Sequence, residues 1–203
     1  MGRFTVIPQD TFEGLQLEAG VLLNTFDPET GAKPKPEDII CATSGGITVS
    51  CVQSFSDMGA DVDNAPVNVK ELIKLDSWVC TMSFDALSTS IPFIKLALGA
   101  ADADATKVTP RRNLKQTDFS DIWWVGDRAD GGMVAVKLMN ALSTGGLTLK
   151  TTKSGKGHIS VTLTGHVSID AQDVVPMEFY SAAATESEEV TGEVTENGEG
   201  EGV

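Results

Sequence analysis

Residues 158–169 read His-Ile-Ser-Val-Thr-Leu-Thr-Gly-His-Val-Ser-Ile, a strict alternation of polar and apolar side chains. A period of two places alternate side chains on opposite faces of a β-strand. The side chains predicted to face a core are Ile159, Val161, Leu163, Val167 and Ile169, with Gly165 in the same series. This stretch therefore predicts a strand that runs from His158 to Ile169 and buries one face.

The residues just before this stretch indicate two more strands. The apolar positions that share a face are Val134, Val136 and Leu138 in the first of them, and Leu147 and Leu149 in the second. Residues 143–146 (Ser-Thr-Gly-Gly) and 154–157 (Ser-Gly-Lys-Gly) separate the three runs, and their glycines can take the positive φ of tight hairpins. We therefore expect three antiparallel strands.

The amino-terminal half adds further strands. Residues 19–26 form a short apolar run, residues 27–38 form a loop with three prolines, and residues 47–55 alternate again. Residues 67–84 are too long for an ordinary strand, and their apolar positions change from odd numbers, up to Leu75, to even numbers, from Trp78. Such a phase change predicts a β-bulge or a strand shared between two sheets.

Between residues 88 and 99 the apolar period becomes helical. The predicted apolar face consists of Leu87, Ile91, Ile94 and Leu98. Ser90 is the expected N-cap, Pro92 is tolerated in the first turn, and Gly99 suits the carboxyl-terminal cap. The sequence therefore predicts a mainly β fold: a β-sandwich or barrel of antiparallel strands with one short flanking α-helix.

Charge divides the chain into two parts. The net charge is −14, and residues 185–203 contribute seven glutamates and no lysine or arginine, so residues 1–184 carry −7. We expect residues 1–184 to form one β-rich domain and residues 185–203 to be a disordered acidic tail. Because affinity for phosphate backbones comes mainly from lysine and arginine, this acidic body argues against specific nucleic-acid binding.

Cysteines and apolar runs bear on the compartment. Cys41, Cys51 and Cys80 lie within or beside apolar strand-like runs, which favours buried reduced thiols over a disulfide and suits a protein made in the cytoplasm. No apolar run reaches the roughly 18 residues that would span a bilayer, so we expect no membrane insertion.

The sequence predicts no catalytic residues, no cofactor and no metal site, and we expect a protein that is not an enzyme. His158 and His166, on one strand, would lie about 26 Å apart at about 3.3 Å per residue, too far to share a metal. We expect both histidines to be exposed polar-face residues. No Gly-x-Ser-x-Gly elbow is present, and residues 150–157 lack the first glycine and the Ser or Thr of a phosphate loop.

Two groups of aspartates are candidate ion sites. Asp57, Asp61, Asp63 and Asn64 offer oxygen atoms to calcium, but they lack the glycine and the terminal glutamate of an EF-hand. Asp127, Arg128 and Asp130 follow the Trp123-Trp124 pair, and an ion pair that stabilises a turn is the favoured interpretation there.

Four segments carry a resemblance to a known family. They are residues 123–132 (Trp-Trp-Val-Gly-Asp-Arg-Ala-Asp-Gly-Gly), 142–147 (Leu-Ser-Thr-Gly-Gly-Leu), 165–170 (Gly-His-Val-Ser-Ile-Asp) and 176–180 (Pro-Met-Glu-Phe-Tyr). Together with the strand and helix of residues 78–99, they resemble the major tail proteins of long-tailed double-stranded DNA bacteriophages. The resemblance covers roughly residues 65–181.

Membership of that family would imply a structural virion protein. It implies hexameric rings that stack into a tail tube, through which genomic DNA passes without specific binding. It also implies tape-measure, tail-terminator and distal tail proteins as partners, and a location in the virion tail after assembly in the host cytoplasm. The alternative is a non-enzymatic surface-binding module, such as a capsid decoration protein or a carbohydrate-binding β-sandwich.

One loop is long enough to suggest a function of its own. Residues 56–66 read Ser-Asp-Met-Gly-Ala-Asp-Val-Asp-Asn-Ala-Pro and connect two predicted strands. Hairpin loops of this length are uncommon without a functional reason. We expect this acidic loop to act as an arm that contacts a neighbouring subunit or ring.

Overall fold

Within residues 9–184 the protein is mainly β, with antiparallel strands and one α-helix, as the sequence predicts. The computed structural model describes residues 9–184; the predicted acidic tail lies outside the described residues. The strands are β1 (Gln16–Leu23), β2 (Ile39–Cys41), β3 (Thr43–Asp57), β4 (Ile73–Ala86), β5 (Ala101–Ala103), β6 (Val108–Pro110), β7 (Ser120–Arg128), β8 (Met133–Ser143), β9 (Thr148–Lys150), β10 (His158–Thr164) and β11 (Met177–Ala182). The helix, α1, spans Ile91–Leu98.

Nine of these strands form one continuous, strongly bent sheet. Its order is β2-β1-β7-β8-β10-β4-β3, with β11 paired to β8 and β9 paired to β10, and β5 and β6 form a separate hairpin. Within residues 9–184 no sheet closes on itself. The arrangement is compatible with the predicted sandwich-like or barrel-like fold.

Strand β8 connects the two halves of this sheet. Residues 133–141 of β8 pair with β7, whereas Leu142 and Ser143 pair with β10. Near this transition β8 contains a bulge, and Asn140 adopts a φ of 46°. Its N–H donates to Asp121 Oδ1 at 3.0 Å, and its side-chain Nδ2 donates to the His166 carbonyl at 3.0 Å. These hydrogen bonds stabilise a left-handed residue at the point where the strand changes sheet half.

The main core lies between the two halves of the bent sheet. It is built from buried side chains of β1, β2, β4, α1, β7, β8, β10 and β11, among them Leu22, Met82, Phe93, Ile122, Leu138 and Leu163. A smaller cluster on the opposite side of β7 contains Trp123, with the rings of Phe26 and Tyr180 against it. Trp123 and Trp124 therefore point to opposite faces, as their adjacency predicts.

Strand β10 is shorter than the sequence predicts. It ends at Thr164, and Val167 and Ile169 are exposed instead of facing the core. The Gly165 N–H still bonds to the Cys80 carbonyl of β4 at 2.9 Å, but the next N–H, that of His166, bonds to the Met139 carbonyl of β8 at 3.2 Å, so the chain leaves the strand there. A β-carbon on Gly165 would lie 2.9 Å from the Pro176 carbonyl oxygen, a backbone atom, so this crossing point requires a glycine.

The predicted turn at residues 143–146 is also wrong as a hairpin. Ser143 pairs with Leu163 and Thr148 pairs with Ser160, so β8 and β9 follow one another along the same edge of β10. Gly145 and Gly146, which lie between them, do not reverse the chain. They interrupt what is otherwise one continuous strand along the edge of β10. In contrast, residues 154–157 do lie in the hairpin loop that joins β9 to β10, as predicted.

The predicted helix is present, but it buries a different face. Phe93 and Ala97 are buried, and the Phe93 ring lies 6.5 Å from that of Phe84, whereas the predicted residues Ile91, Ile94 and Leu98 are half-buried. Gly99 ends the helix with a φ of 69°. Ser90 occupies the N-cap position, although its hydroxyl makes no capping hydrogen bond. Because α1 is apolar nearly all round, its periodicity did not identify the docked face.

Candidate functional site

The hairpin formed by β3 and β4 extends beyond the rest of the sheet. Strand β10 pairs with β4 from Ala86 to Thr81 and no further. Beyond that point the strands pair only with each other in the described part of the chain, as far as the pair Asp57–Ile73. We call residues 52–79, which comprise these strand ends and the loop between them, the arm.

A bulge in β4 explains the phase change in the sequence. Ser54 pairs with Ser77, but the next residue, Phe55, pairs with Leu75, so Asp76 is an extra residue on β4. The predicted phase change is therefore confirmed, and its cause is a β-bulge. The Ser56 hydroxyl donates a hydrogen bond to the Asp76 carboxylate and holds the bulge closed.

The arm carries apolar side chains on the face that continues from the core. Cys51 and Cys80 are opposite each other in the sheet, and four residues further along β3 Phe55 returns to the same face, opposite Leu75. Phe55 is 56% exposed, Leu75 is 43% exposed and Ile73 is 37% exposed. These three apolar side chains continue the core-facing side of the sheet into solvent. We call them the apolar face of the arm.

The loop at the end of the arm is organised by Asp57. One oxygen of its carboxylate accepts the Gly59 N–H at 2.9 Å, and the other accepts the Asn68 N–H at 3.2 Å. The loop spans residues 58–72, longer than the predicted 56–66, and it exposes Met58, Val62 and Val67. It therefore presents apolar side chains as well as the predicted acidic ones.

The aspartates that the sequence offers as candidate calcium ligands do not form a metal cluster. Asp57 is engaged with backbone N–H groups of its own loop. Within residues 9–184 no three His, Cys, Asp or Glu side chains come together as a group that could hold a metal ion.

Strand β3 also presents a free backbone edge. It is the last strand of the sheet, and in residues 9–184 only β4 pairs with it along its 15 residues. Gly45 and Gly46, with φ values of 79° and 84°, disturb the edge near its start, and the pairing is regular from Ile47 to Ser54. An unpaired edge of this length can accept another strand.

The ion pair predicted at the turn after Trp124 is confirmed. Arg128 holds the Asp130 carboxylate with two nitrogens, at 3.2 Å and 2.8 Å, and Asp130 also accepts the Gly132 N–H. A second ion pair, which sequence reasoning missed, joins Arg111 to the buried carboxylate of Asp118. Both pairs fix turns.

The two histidines are half-buried instead of exposed. The His166 ring packs edge-on against Phe119, with ring centroids 5.3 Å apart, and its Nδ1 lies 3.2 Å from the Asn140 carbonyl. His158 begins β10 opposite Lys150. Both histidines are therefore part of the packing and strand pairing of the fold.

All three cysteines are free thiols. Burial raises the pKa of the Cys41 thiol to about 11. Burial, followed by a hydrogen bond to Cys51, raises the pKa of the Cys80 thiol to about 12. Both groups are therefore protonated near neutral pH. The Sγ atoms of Cys51 and Cys80 are 2.6 Å apart.

Sequence reasoning located the arm's loop but missed its apolar face. The available signal was the position of the phase change: Leu75 lies on its loop side, and Phe55 is the last residue of the alternating run 47–55, next to the loop. No protein-family model matches the chain, and no curated protein matches it. None of the helices in the described part of the chain is both long and apolar enough to cross a membrane.

Proposed function

We propose that the protein is a structural subunit that assembles with copies of itself, as a tail-tube protein of a long-tailed bacteriophage does. The observation that carries this proposal is the exposed apolar face of the arm, formed by Phe55, Ile73 and Leu75. A two-stranded hairpin is marginally stable in water by itself. A neighbouring copy that covers this face would stabilise the arm.

The free energy that burial of the apolar face would contribute supports assembly. Full burial of a Val, Leu, Ile or Phe side chain contributes about 1.5–3 kcal/mol, and each of the three residues retains a third or more of its surface for such burial. Contributions of about 1 kcal/mol from each residue would add up around a ring, because every subunit would both provide and receive an arm.

The free edge of β3 supports the same kind of contact. Strands β2 and β3, which end the strand order, are separated only by Ala42, so the long free edge is that of β3, and a different surface of a neighbouring copy would have to meet it. Contact between different surfaces of identical subunits is heterologous, and it produces closed rings or open helical filaments. Six subunits per ring and stacked rings are the form that the resemblance implies.

The charge of the body suits a channel for DNA. Residues 1–184 carry a net charge of −7, and an acidic wall repels phosphates within a screening distance of about 8–10 Å. Genomic DNA would pass such a wall without being held. The tape-measure, tail-terminator and distal tail proteins, and a location in the virion tail, belong to this proposal through the resemblance.

The alternative of a surface-binding module has less support. The two adjacent tryptophans offer no exposed aromatic surface for a carbohydrate: Trp123 is only 7% exposed and is covered by Phe26 and Tyr180. Trp124 packs against the main core, and its indole N–H donates to the Ala19 carbonyl at 2.9 Å.

Negative-stain microscopy and light scattering of the purified full chain test the proposal. We expect rings or tubes for the wild type and a folded monomer for the double variant Phe55→Ser/Leu75→Ser. Ile169→Ser is the matched control, because Ile169 is 82% exposed and lies outside the arm. A wild type that stays monomeric at high concentration would overturn self-assembly. Tubes formed equally well by the double variant would overturn the role of the apolar face.

A further inference from the structure

Cys51 and Cys80 lie at the base of the arm. They are direct partners in the pairing of β3 with β4. The last residue of β4 that pairs with β10 is Thr81, so Cys80 is the first residue beyond it. The two thiols therefore mark the boundary between the supported sheet and the two-stranded arm.

The backbone places their side chains close to each other. In an antiparallel strand the N–H and the carbonyl of one residue point to the same edge, and the Cys80 carbonyl accepts the Gly165 N–H at 2.9 Å, away from β3. Cys51 and Cys80 are therefore a non-hydrogen-bonded pair, whose Cα atoms are typically about 4.5 Å apart. That separation lies within the range of about 4.4–6.8 Å found for disulfides.

We propose that Cys51 and Cys80 form a reversible cross-strand disulfide that closes the arm at its base. Cys41 takes no part, because its partner in the sheet is Leu22, which carries no thiol. The bond would enclose the whole arm, residues 52–79, in a covalent loop. This inference is independent of the proposed assembly.

The chemistry is thiol–disulfide exchange with a small-molecule disulfide such as oxidised glutathione. Cys51, the half-buried member of the pair, loses its proton and attacks one sulfur of that disulfide. A mixed disulfide forms and one small thiol leaves. Cys80 then loses its proton and attacks Cys51 Sγ, which expels the second small thiol. The protein gives up two electrons and two protons, and the small disulfide is reduced to two thiols.

The Cys51–Cys80 disulfide should make the arm more ordered. The strand ends of the arm, residues 52–57 and 73–79, pair only with each other in the described part of the chain and can separate without unfolding the core. A covalent link at their base restricts that separation. We expect their amide hydrogen exchange to slow by at least about tenfold on oxidation.

The test uses the purified full chain, first reduced and then treated with oxidised glutathione, unfolded and alkylated. We expect the wild type to lose two hydrogens and to retain one alkylatable cysteine instead of three. Tandem mass spectrometry of an elastase digest then locates the link, and this measurement needs no variant. Three alkylatable cysteines, a link through Cys41 or disulfide-linked dimers would each overturn the proposal.

Matched cysteine variants give a second, independent test. Cys41→Ser should still lose two hydrogens and leave no free thiol, whereas Cys51→Ser should form no intramolecular disulfide. Cys80→Ser should stop at the mixed disulfide on Cys51. An intramolecular bond in Cys51→Ser would overturn the assignment, and hydrogen exchange of the arm that is unchanged by oxidation would overturn its closing effect.

Discussion

Glu18 and Gly20 adopt positive φ angles of 57° and 67° inside β1. Between Leu17 and Val21, β1 advances four residues while β7 advances two, so these positions absorb two extra residues. The bulge brings the Ala19 carbonyl to the indole N–H of Trp124, at 2.9 Å. Single residues thus determine where the edge of the sheet bends and how one tryptophan satisfies its only polar atom.

We predict that Gly20→Ala destabilises the protein by about 2–4 kcal/mol, because the added methyl group meets a left-handed backbone and a packed neighbour. A β-carbon at this position would lie 2.5 Å from the Val125 carbonyl oxygen. Urea unfolding measures the effect. Gly14→Ala is the control, since a β-carbon there would have no atom within 4 Å apart from those of its chain neighbours. Equal stability of the two variants would contradict the argument.

At the scale of elements, the arm is the least supported part of the fold. Its strands are joined by a loop that is held by hydrogen bonds within the loop. The Met58 N–H donates to the Leu72 carbonyl at 2.8 Å, and the Gly59 N–H donates to the Asp57 carboxylate. None of these hydrogen bonds involves the body. The loop can therefore be removed without disturbing the core, whereas the strands of the arm continue directly into it.

We predict that replacing residues 58–72 by Asn-Gly leaves a folded protein that assembles poorly or not at all. Asp57 and Ile73 are paired, so a two-residue turn fits between them, and Asn-Gly favours that turn. Circular dichroism and thermal unfolding check the fold, and microscopy checks for tubes. Tubes that form at the wild-type rate would show that the loop does not contribute to assembly.

The whole molecule combines one bent sheet with a large negative charge. The core is formed within residues 9–184, and the full chain carries −14, of which seven charges belong to residues 185–203. Charge of one sign keeps copies apart unless specific surfaces overcome the repulsion. Removal of the terminal glutamates should therefore change contacts between assemblies more than the stability of one chain.

We predict that deletion of residues 185–203 leaves the unfolding midpoint unchanged and promotes sideways bundling of tubes at physiological salt. The physical reason is the loss of seven negative charges from each subunit. A variant with all seven glutamates replaced by glutamine keeps the length and should bundle similarly. If truncation stops polymerisation instead, the segment takes part in stacking, and the repulsion argument is wrong.

The sequence by itself determined the features that depend on neighbouring residues. The alternation in residues 158–164 specified a half-buried strand, and the phase change before Trp78 predicted a β-bulge or a strand shared between two sheets, of which the bulge, at Asp76, is present. The spacing of Arg128 and Asp130 specified an ion pair across a turn. Each is a local property, because side-chain direction and turn chemistry are set within a few residues.

Only the tertiary structure decided which strands meet and which faces are covered. Periodicity did not reveal that β8 and β9 share one edge of β10, or that Gly165 ends β10, because both depend on partners far along the chain. It also did not distinguish the buried apolar residues of β4 from the exposed Leu75. Alternation gives the face on which a side chain lies, but burial requires another element packed against that face. Leu75, in the part of β4 that extends past its pairing with β10, stays 43% exposed.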